Sequence, residues 1–207
     1  MTKTSIAPRK LPVQRRAQAT REAIIEGAAQ ILGASGLPGF NTNAVAVRAG
    51  VSIGTLYQYF PNKDALMAAL IAREQTARAD ALGSIVDSLT GHSINEGVVR
   101  LIDAAVTGET SQPQLSRSLD HEEARLPVVD MIGNAQSILD DHIARFLRPH
   151  MRDIPDAELR QIGRTVRVIA RAIIDDMINR DRPDQDQARE QSRLAVLGYL
   201  DKQQRQS

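Results

Sequence analysis

The chain has 207 residues, 42% of them hydrophobic but only 3% aromatic, with no Trp and no Cys. An aliphatic, Ala-rich helical core is feasible, while disulfides and thiolate metal sites are excluded. The net charge of +1 hides an asymmetry: up to Lys63 there are eight cations and two acids, a net +6, against −5 for the remainder, which points the basic head, not the acidic body, at a polyanion.

Residues 1–17 read as a flexible basic arm, since the first sixteen hold two prolines, five cations and no acid. A first helix is predicted over 18–32, with Ile24, Ala28, Ile31 and Leu32 on one face and Ile25 beside them. Gly33, Gly36, Pro38 and Gly39 then punctuate the chain. A second helix is predicted over 42–49, capped by Asn41 or Thr42. Gly50 sits where a left-handed turn residue is wanted. Ser52 is a natural N-cap for a third helix over 53–59, which Pro61 ends. Asn62 can cap a linking helix over about 63–84, with Leu66, Ala69 and Leu70 inward.

The body reads as helical too. Ser93 and Glu96 have capping-box spacing ahead of Val98, Leu101, Ile102 and Ala105. Residues 111–125 are polar and poorly periodic, and are expected to form a short helix plus loops. Residues 128–146 are strongly periodic and close at Pro149. After Pro155 a long helix places Ile162, Val166, Ile169 and Ile173 on one stripe, widened by Val168, Ala172 and Met177. Arg182-Pro183-Asp184 breaks the chain before a last helix over 187–202. There is no strand-like alternation. The expected fold is therefore all-α, about nine helices in total: a three-helix N-terminal domain at 18–64 and a helical bundle at 65–207.

Two short helices joined by a glycine-containing turn are how a helix is presented to the DNA major groove. Here the turn is Ala49-Gly50-Val51-Ser52, and the presented segment is Ile53 to Tyr59. Ser52 and Thr55 offer short hydroxyls, and Gly54 lets backbone approach DNA closely. Tyr57 and Tyr59 are rigid with polar tips; Tyr57 reads either as a DNA contact or as a half-buried core residue. Leu56 and Phe60, four apart, face the domain core. Lys63 is placed to clamp a phosphate. Thr42 and Asn43 begin the helix that crosses the backbone. Base reading falls to Ile53, Gly54, Thr55 and Gln58: a glutamine can bond adenine bidentately, and Ile53 can meet a thymine methyl.

Ala49-Gly50-Val51-Ser52, then Gly54-Thr55-Leu56-Tyr57, Tyr59-Phe60 and Lys63, resembles the signature of the TetR family of transcriptional regulators, over about residues 18–70. Beyond that, the likeness is one of helix count and order. The resemblance implies a homodimer, a helix-turn-helix head, and an all-helical body that binds a small effector and thereby changes the separation of the two heads. It also implies DNA contacts at Thr42, Ser52, Thr55, Tyr57, Tyr59 and Lys63.

An effector pocket between helices is expected in the body, with Asp103, His121, Met131, His142 and Phe146 as candidate liners, and Glu122 and Arg145 as further polar ones. His142 fits a hydrogen-bonded core histidine as well as a ligand contact. His121, Glu122, Glu123 and His142 match no zinc spacing, so no metal and no cofactor is expected. The dimer interface is expected on the last two helices, through Ile162, Val166, Ile169, Ile173, Leu194 and Leu197. No apolar run approaches the roughly 20 residues of a membrane span, and no secretory signal follows the N-terminus, so the expected location is the cytoplasm. No nucleophile–base pair, phosphate loop or metal motif supports an enzyme. The expected function is a ligand-responsive repressor, its partners a palindromic operator duplex, a small-molecule effector and a second copy of itself. The alternatives are a helical small-molecule-binding protein or enzyme with an incidental helix-turn-helix-like element, and an effector-free architectural DNA binder with a filled body.

Overall fold

A computed structural model describes residues 12–178 and 184–205. The described chain is helical, with nine α-helices: α1 (Pro12–Gly39), α2 (Thr42–Ala49), α3 (Ile53–Tyr59), α4 (Lys63–Ser88), α5 (Ile94–Ser111), α6 (Pro113–Arg125), α7 (Val129–Leu147), α8 (Asp156–Ile178) and α9 (Gln185–Gln204). A short 3₁₀ turn, Arg148–His150, follows α7. The chain divides into two compact units after Leu70.

In the first unit α1 packs on α2, and α2 on α3. The core is Ile24, Ile25, Ala28 and Leu32 of α1 with Phe40, Val45, Leu56, Phe60, Leu66 and Leu70, each at most 4% exposed. Helix α1 is longer than predicted at both ends. Residues 12–17, assigned to the arm, are helical, and residues 1–11 of that arm lie outside the described residues. Gly33 does not interrupt the helix; the backbone breaks at Gly36 (φ 60°, ψ −169°). Asn41 is the N-cap of α2, its side chain accepting from the Ala44 N–H at 2.8 Å. Gly50 takes the left-handed conformation (φ 67°, ψ 30°) that turns the chain into α3. Asn62 caps α4 by accepting from the Ala65 N–H at 2.8 Å.

In the second unit α8 packs on α7 and α9, and α5 on α6, α8 and α9. Val98, Ile102, Val106, Ile143, Phe146, Leu159, Ile174 and Val196 belong to one buried cluster. The Ser93–Glu96 capping box forms, and the Ser93 hydroxyl and N–H hold the Glu96 carboxyl below its ordinary range. Residues 113–125 are one continuous helix rather than a short helix with loops. Pro113 stands at its first turn, where a missing N–H is harmless. Its buried face mixes Leu115 and Leu119 with Ser116, Ser118 and Glu122, which masks the apolar period. Buried Glu122 is held by Arg125 (2.5 Å). Of the predicted break at 182–184, Arg182 and Pro183 lie outside the described residues; Asp184 is the N-cap of α9.

Candidate functional site

The first unit presents α3 with its back to the core and its front to solvent. Leu56 is fully buried, while Tyr57 and Gln58 beside it are exposed, Tyr57 by 47%. The Ser52 side chain caps α3 by accepting from the Thr55 N–H at 3.0 Å, and the two hydroxyls lie 2.8 Å apart. The Thr42 and Tyr57 hydroxyls pair at 3.1 Å, tying the first turn of α2 to the middle of α3. Ile53 is 39% exposed, and no side chain but Ser52 comes within 4 Å of where a Gly54 Cβ would stand. Asn43 is exposed; Thr55 and Tyr59 are half-buried. Lys63, the first residue of α4, is exposed, its ammonium 5.2 Å from the centroid of the buried Phe40 ring.

The first unit also carries exposed cations. Arg15, Arg16, Arg21, Arg48 and Lys63 all reach solvent. Arg21 is engaged by Glu22 (3.3 Å) and lies over the Phe60 ring, and Arg48 donates to the Gln30 amide oxygen. Reading the residues in isolation passes over Val47, at 82% the most exposed large apolar side chain among the described residues. Its position on α2 next to Arg48, on the face away from buried Val45 and Ala46, was the available signal.

The second unit encloses a cavity of about 230 Å³. Its walls are aliphatic: Leu82, Ile85, Leu101, Leu139, Val166 and Ile174 are representative, and among the described residues no aromatic side chain lines it. Its polar end is a set of ion pairs. Arg78 meets Glu109 at 2.7 Å. Arg171 meets Asp120 at 2.8 Å and Asp175 at 2.9 Å. Glu123 accepts from the Gln75 amide at 2.7 Å. Burial pushes the Asp120 carboxyl up to about 6 against the pull of Arg171.

The five residues predicted to line such a pocket do not border it. Asp103 is half-exposed and pairs with Arg189 at 3.3 Å. His121 is exposed, and Met131 is 49% exposed. His142 bonds the Arg145 guanidinium at 3.0 Å and sits against Gly83, where an added Cβ would fall 2.5 Å from its Nε2. Phe146 is buried, its ring filling the space over Gly97, where an added Cβ would fall 2.0 Å from Cζ. Of the further polar candidates, Glu122 and Arg145 are engaged elsewhere, by Arg125 and by Asp87 respectively. The residues that do form the polar end carried a readable signal: Arg167, Arg171 and Asp175 recur every four residues along α8, beside Val166, Ala170 and Ile174. Among the described residues no group of three or more His, Asp or Glu converges as metal ligands would.

The stripe assigned to a partner chain is largely engaged within the protomer. Ile162 is 2% exposed in the core, Val166 lines the cavity, and Ile169 and Leu197 pack against the buried cluster. Ile173 is half-buried. Leu194, with Val168, remains about half exposed.

Comparison with known proteins places this geometry. Residues 24–70 match the family model "Bacterial regulatory proteins, tetR family", and residues 93–200 match "Tetracyclin repressor-like, C-terminal domain". The HTH-type transcriptional regulator UidR of Escherichia coli K12 is 27% identical over 137 residues, 66% of this chain and 68% of that protein. A structure of a regulator from Mesorhizobium loti superposes with a TM-score of 0.67 at 15% identity, covering 90% of this chain and 97% of that one. Thermus thermophilus FadR, a repressor solved in complex with lauroyl-CoA, gives 0.65 at 22% identity, covering 87% and 94%.

Proposed function

Because the chain belongs to the TetR family of transcriptional regulators, we propose that it is a ligand-responsive repressor that binds a palindromic operator as a homodimer and is released by a small-molecule effector held in the body cavity. In this reading residues 18–64 are the reading head, residues 1–17 a basic arm, and residues 65–207 the effector-binding and dimerisation body. Thr42, Ser52, Tyr57, Tyr59 and Lys63 hold phosphates; Ile53, Gly54, Thr55 and Gln58 read bases; Asn43 stands where the second helix crosses the backbone. Ile169, Ile173, Leu194 and Leu197 contribute to the dimer seam. The proposed setting is the cytoplasm, where the DNA is. Among the described residues no helix is long and apolar enough to cross a membrane.

The observation that carries the proposal is the course of α4. One helix begins with Lys63 beside the DNA-facing residues and, further on, lines the cavity with Gln75, Arg78, Leu82, Ile85 and Val86. An effector that packs better against one setting of α4 than another shifts the equilibrium between them. Couplings of this kind are typically about 1–3 kcal/mol. The cavity also disfavours the effector-free architectural reading, which needs a filled body.

The test is protection mapping on the DNA upstream of the protein's own gene. A protected segment with two-fold symmetry, lost as salt rises, is expected. Absence of protection at low salt, or a footprint without symmetry, overturns the proposal.

A further inference from the structure

Taking the body cavity as the effector site, a step that rests on the function proposed above, we propose that it is built to take a protonated amine carrying an apolar body. The apolar body is matched by the aliphatic walls. The ammonium is matched by the charge count at the polar end. Two guanidinium groups, Arg78 and Arg171, stand there with three lining carboxylates, Glu109, Glu123 and Asp175, and a fourth, Asp120, paired with Arg171 behind the wall. A third lining guanidinium, that of Arg167, is neutralised by Asp140, which lies 2.5 Å from it outside the lining. Protonation of Asp120 still leaves three carboxylates to two guanidinium groups.

Both arginines are already held by carboxylates at hydrogen-bonding distance, whereas Glu123 is held by a neutral amide. An anionic head group would have to draw an arginine away from its partners and strand a carboxylate in an apolar wall, which is strongly unfavourable. A neutral head group leaves the surplus negative charge uncompensated. An ammonium offsets it, and its N–H groups can donate to the cavity-lining oxygens of Glu123, Glu109 and Asp175. The low-dielectric walls strengthen that attraction relative to water. The walls also select among cations. Binding of quaternary ammonium groups leans on aromatic faces, and among the described residues none lines this cavity. A cation without N–H groups therefore gains neither ring contact nor hydrogen bond.

The experiment is calorimetric titration of the full-length protein, at neutral pH, with octylamine, octyltrimethylammonium, octanol and octanoate. Octylamine should bind roughly tenfold more tightly than octanol, equivalent to about 1.4 kcal/mol. Octyltrimethylammonium should bind less tightly than octylamine, and octanoate less tightly than octanol. Glu123→Gln keeps an acceptor for Gln75 and removes the charge, so it should narrow the amine-to-alcohol ratio to roughly threefold or less. Octanoate or octanol binding as tightly as octylamine overturns the proposal, as does no binding of any of the four, or an unchanged ratio in a folded Glu123→Gln protein. If that variant does not fold, the ranking of the four compounds on the native protein decides. Release of bound DNA is read in parallel. Octylamine preference without release refutes the repressor mechanism and sustains the ligand class. Octanoate preference with release does the reverse.

Discussion

Lys63 offers a quantitative test of the DNA-facing surface. It is exposed at the start of α4, and its ammonium lies 5.2 Å from the Phe40 ring centroid. The ring limits the freedom of the chain without neutralising its charge, so the ammonium is presented in one direction. If it clamps a phosphate, Lys63→Gln removes one phosphate contact per head and two per dimer. The slope of log affinity against log salt then becomes shallower by about 1.8. Between about 50 and about 200 mM salt the native protein should lose roughly twelvefold more affinity than the variant, since each contact contributes about 0.9 to the slope. Fluorescence anisotropy with a labelled duplex, titrated at several salt concentrations, measures this directly. Lys63→Arg keeps the charge and should keep the slope. Because the side chain is exposed, folding stability should fall by less than about 1 kcal/mol, the scale of an exposed cation–π contact. An unchanged slope in Lys63→Gln refutes the phosphate assignment.

Gly50 tests the turn that delivers α3. A Cβ there meets nothing within 4 Å, so Gly50→Ala is penalised only by the left-handed backbone, at φ 67°. A loss of about 1 kcal/mol is expected, less for Gly50→Asn, which tolerates that conformation; equal urea midpoints for the two variants would contradict the reasoning. Asp120 predicts a pH dependence. Its carboxyl sits at about 6 in the fold against an ordinary 3.8, so between those values the folded protein binds a proton that the unfolded chain has released. Stability from this site therefore falls as pH rises, by roughly 1 kcal/mol between about pH 5 and about pH 7. Asp120→Asn should remove that part of the slope in urea unfolding at fixed protein concentration, and an identical slope in both proteins would sink the assignment.

The head was readable because its signals are local. Asn41, Gly50, Ser52 and Asn62 each act on backbone groups within a few residues, and each does in the structure what its side chain and spacing predict. The extent of α1 was not readable, because Gly33 is a poor helix former tolerated there in spite of propensity; Gly36 does break the backbone, and Pro38 falls just beyond that break. In the body the apolar periods gave the helices, but α6 escaped because its buried face carries two serines and a glutamate. The cavity escaped for a different reason. Its walls come from α4, α5, α6, α7, α8 and α9, and nothing in the separate patterns of six helices states where they fail to meet.

Two of the five expected liners, His142 and Phe146, lie off the cavity for one cause, and it was written in the sequence. Gly83, Gly97 and Gly163 lie inside long helices, where glycine is unfavourable by about 1 kcal/mol relative to alanine and so calls for a packing reason. In each case the reason is α7. A Cβ on Gly83 would fall 2.5 Å from the His142 ring, one on Gly97 2.0 Å from the Phe146 ring, and one on Gly163 2.8 Å from the Asp140 carbonyl oxygen. The three glycines are notches on α4, α5 and α8 that admit the stretch of α7 from Asp140 to Phe146. His142 and Phe146 fill notches, so they cannot also front the void; that role passes to Ala135, Gln136, Leu139 and Ile143 of the same helix. A large side chain on an apolar stripe, matched by an interior glycine on another helix, thus marks where two helices close together. A pocket belongs where the stripes lack such a match, as along Arg167, Arg171 and Asp175, whose charges need room, partners and a polar edge.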